Sequence, residues 1–221
     1  MYILHYFPDT ASLIVRLVLE ELGTPYEARL IDREGGALSS PAYLAMQPLG
    51  LIPVLETPQG ALFETAAMLL YLAERHPGLA PAPGDDDRGA FLKWFIFTNH
   101  NIHTTLLQLF YPERTAGPGC ADAVLAHAHD RMQRYLTLID RMIADEAPAW
   151  LSPAAPSVLG YYLGVLMRWL ATYGPGHPSF FRSSDFPHLN TVLAAHEARP
   201  AALNVARSEA LGPTIFTNPA Y

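Results

Sequence analysis

The chain has 221 residues, enough for one large domain or two smaller domains with a hydrophobic core. Half of the residues are hydrophobic and 16% are charged, a composition that excludes a largely disordered chain. The formal net charge of −7, with Lys93 as the only lysine, argues against nucleic acid as a main partner, because phosphate contacts need clustered basic side chains.

Strand and helix patterns alternate at the start of the chain. Residues 2–7, YILHYF, form an apolar run closed by Pro8, which predicts a buried strand. Residues 10–23 place apolar side chains at helical spacing and end at Gly23, which predicts a helix. Residues 26–31 predict a second strand, and a strand–helix–strand unit implies a parallel pair.

The next segments complete a small α/β domain. Residues 39–48 predict a short helix, and residues 52–57 and 60–64 predict two strands joined by a tight turn. Residues 65–78 predict a helix. The predicted order over residues 1–78 is therefore βαβαββα.

The composition changes after this domain. Residues 79–85 are rich in proline, glycine and aspartate, which predicts a linker. Residues 86–221 contain long apolar-periodic stretches separated by proline and glycine, which predict an all-α domain.

Location is predicted from what the chain lacks. The N-terminal stretch has no basic region before its apolar run, so we expect no signal peptide. The longest apolar run contains Arg168 and is short for a bilayer span. The single cysteine, Cys120, excludes a disulfide framework within one chain. These observations predict a soluble cytoplasmic protein.

Residues 47–77, QPLGLIPVLETPQGALFETAAMLLYLAERHP, resemble the cytosolic glutathione S-transferases. In that family a proline-glycine pair precedes Val-Pro-x-Leu, and a Glu-Ser pair then opens a helix. Residues 109–114, LFYPER, resemble bacterial members, and the pattern is closest to the serine- and cysteine-type classes. The resemblance covers essentially the whole chain. It implies a thioredoxin-like N-terminal domain, an all-α C-terminal domain and a homodimer.

The resemblance also implies a glutathione site. The proline that matches Pro53 is cis in the family, and the backbone of the residue at Ile52 pairs with the extended peptide. A helix N-terminus attracts a carboxylate, so Thr65 and Glu64 suit the α-amino acid head of the γ-glutamyl group. Gln47 stands where the family usually has asparagine. The alternative readings are a Pro53 that only ends a loop and a Thr65 that only caps the helix.

Activation of the glutathione thiol requires a group that lowers its pKa from about 8.5. Ser12 matches the serine region of the bacterial classes, whereas Ala11 stands where cysteine-type members carry cysteine. Tyr6 stands where the tyrosine-type classes carry their tyrosine. Ser12 is the first candidate and Tyr6 the second, and a third possibility is that neither residue activates the thiol.

The second domain contributes one candidate residue. His103 precedes TTLLQLFYPER as a histidine does in similar bacterial sequences, where it lies near the thiol. An ordinary helix histidine is the alternative. No metal site is expected, because the chain has no H-E-x-x-H or comparable ligand spacing.

The resemblance implies transfer of glutathione to a small apolar electrophile, as in detoxification. One alternative is another glutathione-dependent reaction at the same site: isomerisation, peroxide reduction or ether cleavage. The other is a non-catalytic binding or interaction protein, which is favoured by Leu51 because the family often has a polar residue there.

One departure from the family pattern concerns folding. Ser157 matches a helix-capping serine, but Gly160 stands where the capping partner would be aspartate. We therefore expect one reciprocal capping bond to be lost, at a cost of about 1 kcal/mol.

Overall fold

A computed structural model describes residues 1–220. Its four strands form one mixed sheet in the order β2-β1-β3-β4. The strands are β1 (Tyr2–Tyr6), β2 (Tyr26–Leu30), β3 (Val54–Thr57) and β4 (Gly60–Leu62). Strand β1 runs parallel to β2 and antiparallel to β3, and β3 runs antiparallel to β4.

Three helices connect and follow these strands: α1 (Ser12–Glu21), α2 (Pro41–Leu44) and α3 (Thr65–Arg75). The predicted order βαβαββα is confirmed, as is the thioredoxin-like architecture. Helix α1 contacts both β1 and α3. Helix α2 has only four residues and begins at Pro41, where the Ser40 hydroxyl accepts a hydrogen bond from the Tyr43 N–H.

The C-terminal region is helical, as predicted; the last residue of the predicted domain, Tyr221, lies outside the described residues. Its helices are α4 (Arg88–Phe97), α5 (Thr104–Phe110), α6 (Pro112–Ala116), α7 (Ala121–Glu146), α8 (Val158–Leu170), α9 (Pro187–Glu197) and α10 (Pro200–Ser208). A π-helical segment, Thr98–His103, joins α4 to α5. Helices α9 and α10 are separate because Arg199 is extended and Pro200 begins a new helix.

Helix α8 lies at the centre of the molecule. All of its thirteen residues except Trp169 are buried. It contacts α1 and α3 of the N-terminal domain, and also α9 and the π-helical segment. The interdomain segment is fixed to this helix, because the Leu79 carbonyl accepts a hydrogen bond from the Val158 N–H at 2.9 Å.

The start of α8 differs from the expected capping pattern. The Ser157 hydroxyl accepts a hydrogen bond from the Gly160 N–H at 2.9 Å, as a capping serine should. The Ser157 N–H donates to His196 Nε2 at 3.1 Å. The expected loss of the reciprocal bond is therefore wrong, because a histidine from α9 replaces the missing aspartate. A Cβ atom on Gly160 would lie 2.3 Å from His196 Nε2, so glycine makes room for the ring.

Across residues 1–220, no helix is both long enough and apolar enough to cross a bilayer.

Candidate active site

The Tyr43 side chain holds the loop before β3. The Ile52–Pro53 peptide bond in this loop is cis. The Tyr43 hydroxyl donates a hydrogen bond to the Leu51 carbonyl at 2.8 Å, which fixes the residue that precedes Ile52. Pro53 is buried, whereas the Leu51 side chain is 54% exposed. The sequence does not predict this role of Tyr43. Its position in the predicted short helix is the only signal that could have indicated it.

Gln47 has a local structural contact in the same loop. Its side chain is buried, and Oε1 accepts a hydrogen bond from the Leu49 N–H at 2.6 Å. This bond closes the turn that leads into the loop. Its predicted contact with glutathione stays a prediction.

Glu64 and Thr65 lie at the N-terminus of α3. Glu64 has φ 72°, a left-handed backbone conformation that is strained for a residue with a side chain. Its side chain is exposed, and within residues 1–220 its carboxylate makes no hydrogen bond or ion pair. Thr65 is the first residue of the helix rather than its cap, and it is buried. The pair thus presents an unpaired carboxylate and a hydroxyl beside the unpaired N–H groups of a helix start.

Ser12 has a fully buried side chain at the start of α1. Its hydroxyl lies 3.0 Å from the Phe7 carbonyl and 2.9 Å from the Thr10 hydroxyl, and it accepts a hydrogen bond from the Phe7 N–H. Thr10 donates its own proton to the Phe7 carbonyl at 2.8 Å. Both hydroxyl protons are therefore used inside the loop between β1 and α1.

Tyr6 is partly exposed at the end of β1. The guanidinium carbon of Arg16 lies 4.9 Å from the centre of its ring. Its hydroxyl makes no hydrogen bond in the described part of the chain. The choice between Ser12 and Tyr6 as the thiol-activating residue stays a prediction.

Asp9 connects the β1–α1 loop to the helical region. Its carboxylate accepts two hydrogen bonds from Arg168, both at 2.8 Å, and one from Trp169 Nε1 at 3.0 Å. Its N–H donates to Glu209 Oε2 at 3.0 Å, and Glu209 Oε1 pairs with Arg16 at 2.9 Å. Contacts from α8 and from the segment after α10 thus fix the loop that carries the candidate hydroxyls.

His103 belongs to a three-residue hydrogen-bonded chain. Its Nδ1 lies 2.7 Å from the Tyr162 hydroxyl, and that hydroxyl donates to Asn99 Oδ1 at 2.9 Å. Asn99 and His103 are both in the π-helical segment, and such segments often occur at functional sites. Burial lowers the pKa of His103 to about 4, so the ring is neutral at pH 7.

A ring contact connects His103 to the β1–α1 loop. The centre of the His103 ring lies 6.1 Å from that of Trp169, whose Nε1 donates to Asp9 of the β1–α1 loop. Trp169 therefore links His103 to the β1–α1 loop. Burial raises the pKa of the Tyr162 hydroxyl, and the negative charge of Glu64 raises it further. No local pattern in the sequence indicates a role for Asn99 or Tyr162.

The lowered pKa values of two buried histidines predict a pH dependence of stability. His103 has a pKa of about 4 in the folded protein and about 6.5 when unfolded, so the unfolded chain binds the extra proton first. Stability is then fully present above pH 6.5 and falls as the pH drops toward 4. We expect His103 to account for a loss of about 2 kcal/mol between pH 6.5 and 4.5. Burial also lowers the pKa of His196, which adds to the loss in the same direction.

Urea unfolding at constant ionic strength measures this loss. The comparison is with His103→Asn, which cannot take up the proton and should lose less stability over the same pH interval. Equal losses in the two proteins would contradict the assignment.

Comparison with protein families gives one match to the N-terminal domain. The family model described as "Glutathione S-transferase, N-terminal domain" matches residues 4–81. This range contains β2, β3, β4, the last three residues of β1 and the Glu64–Thr65 pair.

Individual proteins extend the similarity beyond that domain. Glutathione S-transferase GST-4.5 of Xanthomonas campestris pv. campestris is 30% identical over 166 residues, which are 73% of this chain and 79% of the relative. Maleylacetoacetate isomerase of Pseudomonas aeruginosa is 36% identical over 88 residues, covering 38% of this chain and 42% of the relative. The solved structure of a sphingomonad glutathione S-transferase complexed with glutathione has a TM-score of 0.73 at 27% identity. That comparison covers 95% of this chain and 100% of the solved one.

Proposed function

The chain belongs to the glutathione S-transferase family, and from this premise we propose that it conjugates the glutathione thiolate to a small apolar electrophile. The observation that carries the proposal is the unpaired Glu64 carboxylate at the start of α3, beside the Thr65 hydroxyl. An ammonium group and a carboxylate on one carbon match this arrangement, and the γ-glutamyl end of glutathione carries both. The solved relative with bound glutathione supports the same ligand.

In this proposal glutathione lies extended along the edge of the sheet. Its main chain pairs with Ile52 beside Pro53, where the Tyr43 hydroxyl holds the preceding carbonyl. Its thiol lies by the β1–α1 loop, near the candidate residues Ser12 and Tyr6. The electrophile lies against the helical domain, where the partly exposed ring of Trp169 supports an apolar second substrate.

Equilibrium binding tests the proposal. We expect wild-type protein to bind glutathione with a Kd between micromolar and millimolar in titration calorimetry. Glu64→Gln removes a charge-assisted bond to the ammonium group, so its Kd should rise by about 10- to 100-fold. Glu146→Gln is the matched control, since Glu146 is an exposed residue at the end of α7 and should leave the Kd unchanged.

Absence of glutathione binding would contradict the proposal. A wild-type protein that shows no binding up to about 10 mM glutathione would have a binding free energy weaker than roughly −3 kcal/mol. That outcome would exclude the transferase function and favour a non-catalytic protein with the same fold. The exposed Leu51 side chain is the feature that supports this alternative.

A second reaction class on the same site is isomerisation. The match to maleylacetoacetate isomerase favours it, although that match covers less than half of either chain. An isomerase would use the glutathione thiolate without consuming it, so a substrate assay that follows free glutathione separates the two reactions.

The proposed enzyme is a cytoplasmic homodimer. Exposed apolar side chains support a second copy as partner, because a dimer interface would bury some of them. They lie in the loop before β3, before α3 and on α4 and α5: Leu49, Leu51, Phe63, Ile96 and Leu107.

A further inference from the structure

A cleft lies where the interdomain segment meets the segment between α7 and α8. Its volume is about 760 Å³, within the range of about 300–1,000 Å³ that is usual for ligand sites. One wall consists of residues 78–81 and 84–87, and the other consists of residues 149–150 and 155–157. None of the candidate glutathione-site residues lines this cleft, so it is distinct from the proposed active site.

Hydrogen bonds hold both walls of the cleft. Arg88 donates from Nη1 to the Pro81 carbonyl at 2.8 Å, and its Nη2 pairs with Glu74 Oε1 at 2.7 Å. On the opposite wall, an isolated β-bridge joins Ser152 and Ala155. A cleft with fixed walls loses little conformational freedom when a ligand binds, which favours affinity.

The cleft is negatively charged. Three consecutive exposed residues line it, Asp85, Asp86 and Asp87. The Asp85 carboxylate accepts a hydrogen bond from the Ala82 N–H at 2.6 Å, whereas the other two carboxylates have no partner within residues 1–220. No arginine, lysine or histidine is among the described residues that line the cleft. A charged ligand must therefore be cationic, which excludes nucleic acid and anionic lipid.

An unpaired hydrogen-bond donor sets a second requirement for the ligand. The Trp150 side chain packs edge-on against Phe91, with 5.9 Å between ring centres, and Trp150 is only 8% exposed. Its Nε1–H makes no hydrogen bond with any described residue, yet the atom is not enclosed by protein. Because Trp150 lines the cleft and has little other exposed surface, this N–H faces the cleft. An indole N–H in such a position usually has an acceptor, which the ligand would supply.

We propose that this cleft binds a basic segment of a partner polypeptide. Arginine or lysine side chains of the segment pair with Asp86 and Asp87, and a main-chain carbonyl accepts the Trp150 N–H. A polypeptide carries cations and acceptors on one chain, whereas a protonated polyamine has only donors. Pro81 and Pro156 also line the cleft, and their apolar rings suit the aliphatic stems of the basic side chains.

Fluorescence anisotropy with the full-length protein tests the proposal. The probe is a labelled peptide of alternating arginine and alanine with four arginines and blocked ends. Spermine is the matched ligand, because it also carries four positive charges but offers no acceptor. We expect the peptide to bind with a micromolar Kd at low ionic strength, and the Kd to rise with salt. The Kd of spermine, measured by competition, should be at least about tenfold higher, because spermine leaves the indole N–H unpaired.

Two charge-removing variants locate the binding site. Asp86→Asn/Asp87→Asn should raise the Kd of the peptide by at least about tenfold, because charge-assisted bonds to arginine are lost. Glu113→Gln/Asp122→Asn is the matched control, since it removes the same charge from exposed positions in α6 and at the start of α7. The cleft lies beyond the other end of that 26-residue helix, so the control should leave the Kd unchanged.

A third variant tests the hydrogen-bond donor. Trp150→Phe keeps an aromatic ring against Phe91 but removes the N–H. It should raise the Kd of the peptide about fivefold and leave the Kd of spermine unchanged, so the difference between the two ligands becomes smaller. Circular dichroism shows whether each variant is folded. The aspartate variants change only exposed side chains, so they test the cleft even if Trp150→Phe does not fold.

Three results would overturn the inference. The first is no binding of the peptide to wild-type protein up to about 1 mM, a binding free energy weaker than about −4 kcal/mol. The second is a wild-type Kd in Asp86→Asn/Asp87→Asn. The third is equal affinity for spermine and the peptide, which would show general attraction of cations without recognition of a polypeptide. Glutathione plays no part in this test, so its outcome is independent of the proposed transferase function.

Discussion

Replacing Gly160 with aspartate is expected to lower the free energy of unfolding by at least about 3 kcal/mol. Aspartate is the residue that the family pattern leads one to expect here. A Cβ atom at this position would lie 2.3 Å from Nε2 of His196, whose ring is 1% exposed and cannot move into solvent without opening the core. The carboxylate would also be buried where the Ser157 N–H already has an acceptor.

Urea unfolding followed by circular dichroism measures this effect. The double variant Gly160→Asp/His196→Ala should recover most of the lost stability, because the aspartate can then take the Ser157 N–H as in a capping box. Gly174→Asp is the control, since a Cβ atom on the exposed Gly174 would meet no other atom within 4 Å. Stability of Gly160→Asp within about 1 kcal/mol of wild type would show that the ring yields easily.

Replacing Glu209 with alanine is expected to cost about 3–5 kcal/mol of stability. The Glu209 side chain is fully buried, and it pairs with Arg16 and accepts the Asp9 N–H. Without it, the largely buried guanidinium of Arg16 has no carboxylate partner and keeps only its bond to the Tyr26 hydroxyl. Burial raises the pKa of the Glu209 carboxyl in spite of these bonds. Forming the pair is therefore costly, and the large effect comes from leaving one charge alone.

A double variant separates the cost of burying the ion pair from the cost of leaving one of its charges unpaired. Arg16→Met/Glu209→Leu removes both charges at similar volume and should be close to wild-type stability or above it. Glu146→Ala, at an exposed carboxylate, should change stability by less than about 0.5 kcal/mol. If Glu209→Ala and the double variant lost equal amounts, the loss would come from packing rather than from an unpaired charge.

Much of the N-terminal domain could be predicted because its signals are local. Gly23 ends α1, and Pro53 and the turn at residues 58–59 bound short strands, so the order of the elements follows from neighbouring residues. The separation of α9 and α10 also has a local cause at Pro200, although the stretch reads as continuous apolar periodicity.

The parts that could not be predicted depend on distant residues. The partner of Ser157 is 39 positions away, and the partner of His103 is 59 positions away. A sequence pattern shows which residues share a face of one helix but not which residue of another helix meets them. The hydrogen-bond partners of Ser12 are close to it in sequence, but their positions depend on the backbone of the β1–α1 loop. In this loop Asp9 has a positive φ of 53°, and no glycine in the sequence indicated that conformation.

The start of α8 has a consequence for synthesis of the chain. Its N–H groups are satisfied by the Leu79 carbonyl, the Ser157 hydroxyl and the His196 ring, which come from three separate parts of the sequence. A chain that leaves the ribosome N-terminus first can fold the sheet early, but it cannot complete this cap until His196 has emerged. The central helix is therefore among the last elements to reach its final state. In a nascent chain that stalls between residues 170 and 196, α8 has been synthesised but His196 has not. The apolar residues of α8 and the N–H group of Ser157 would then be exposed to solvent.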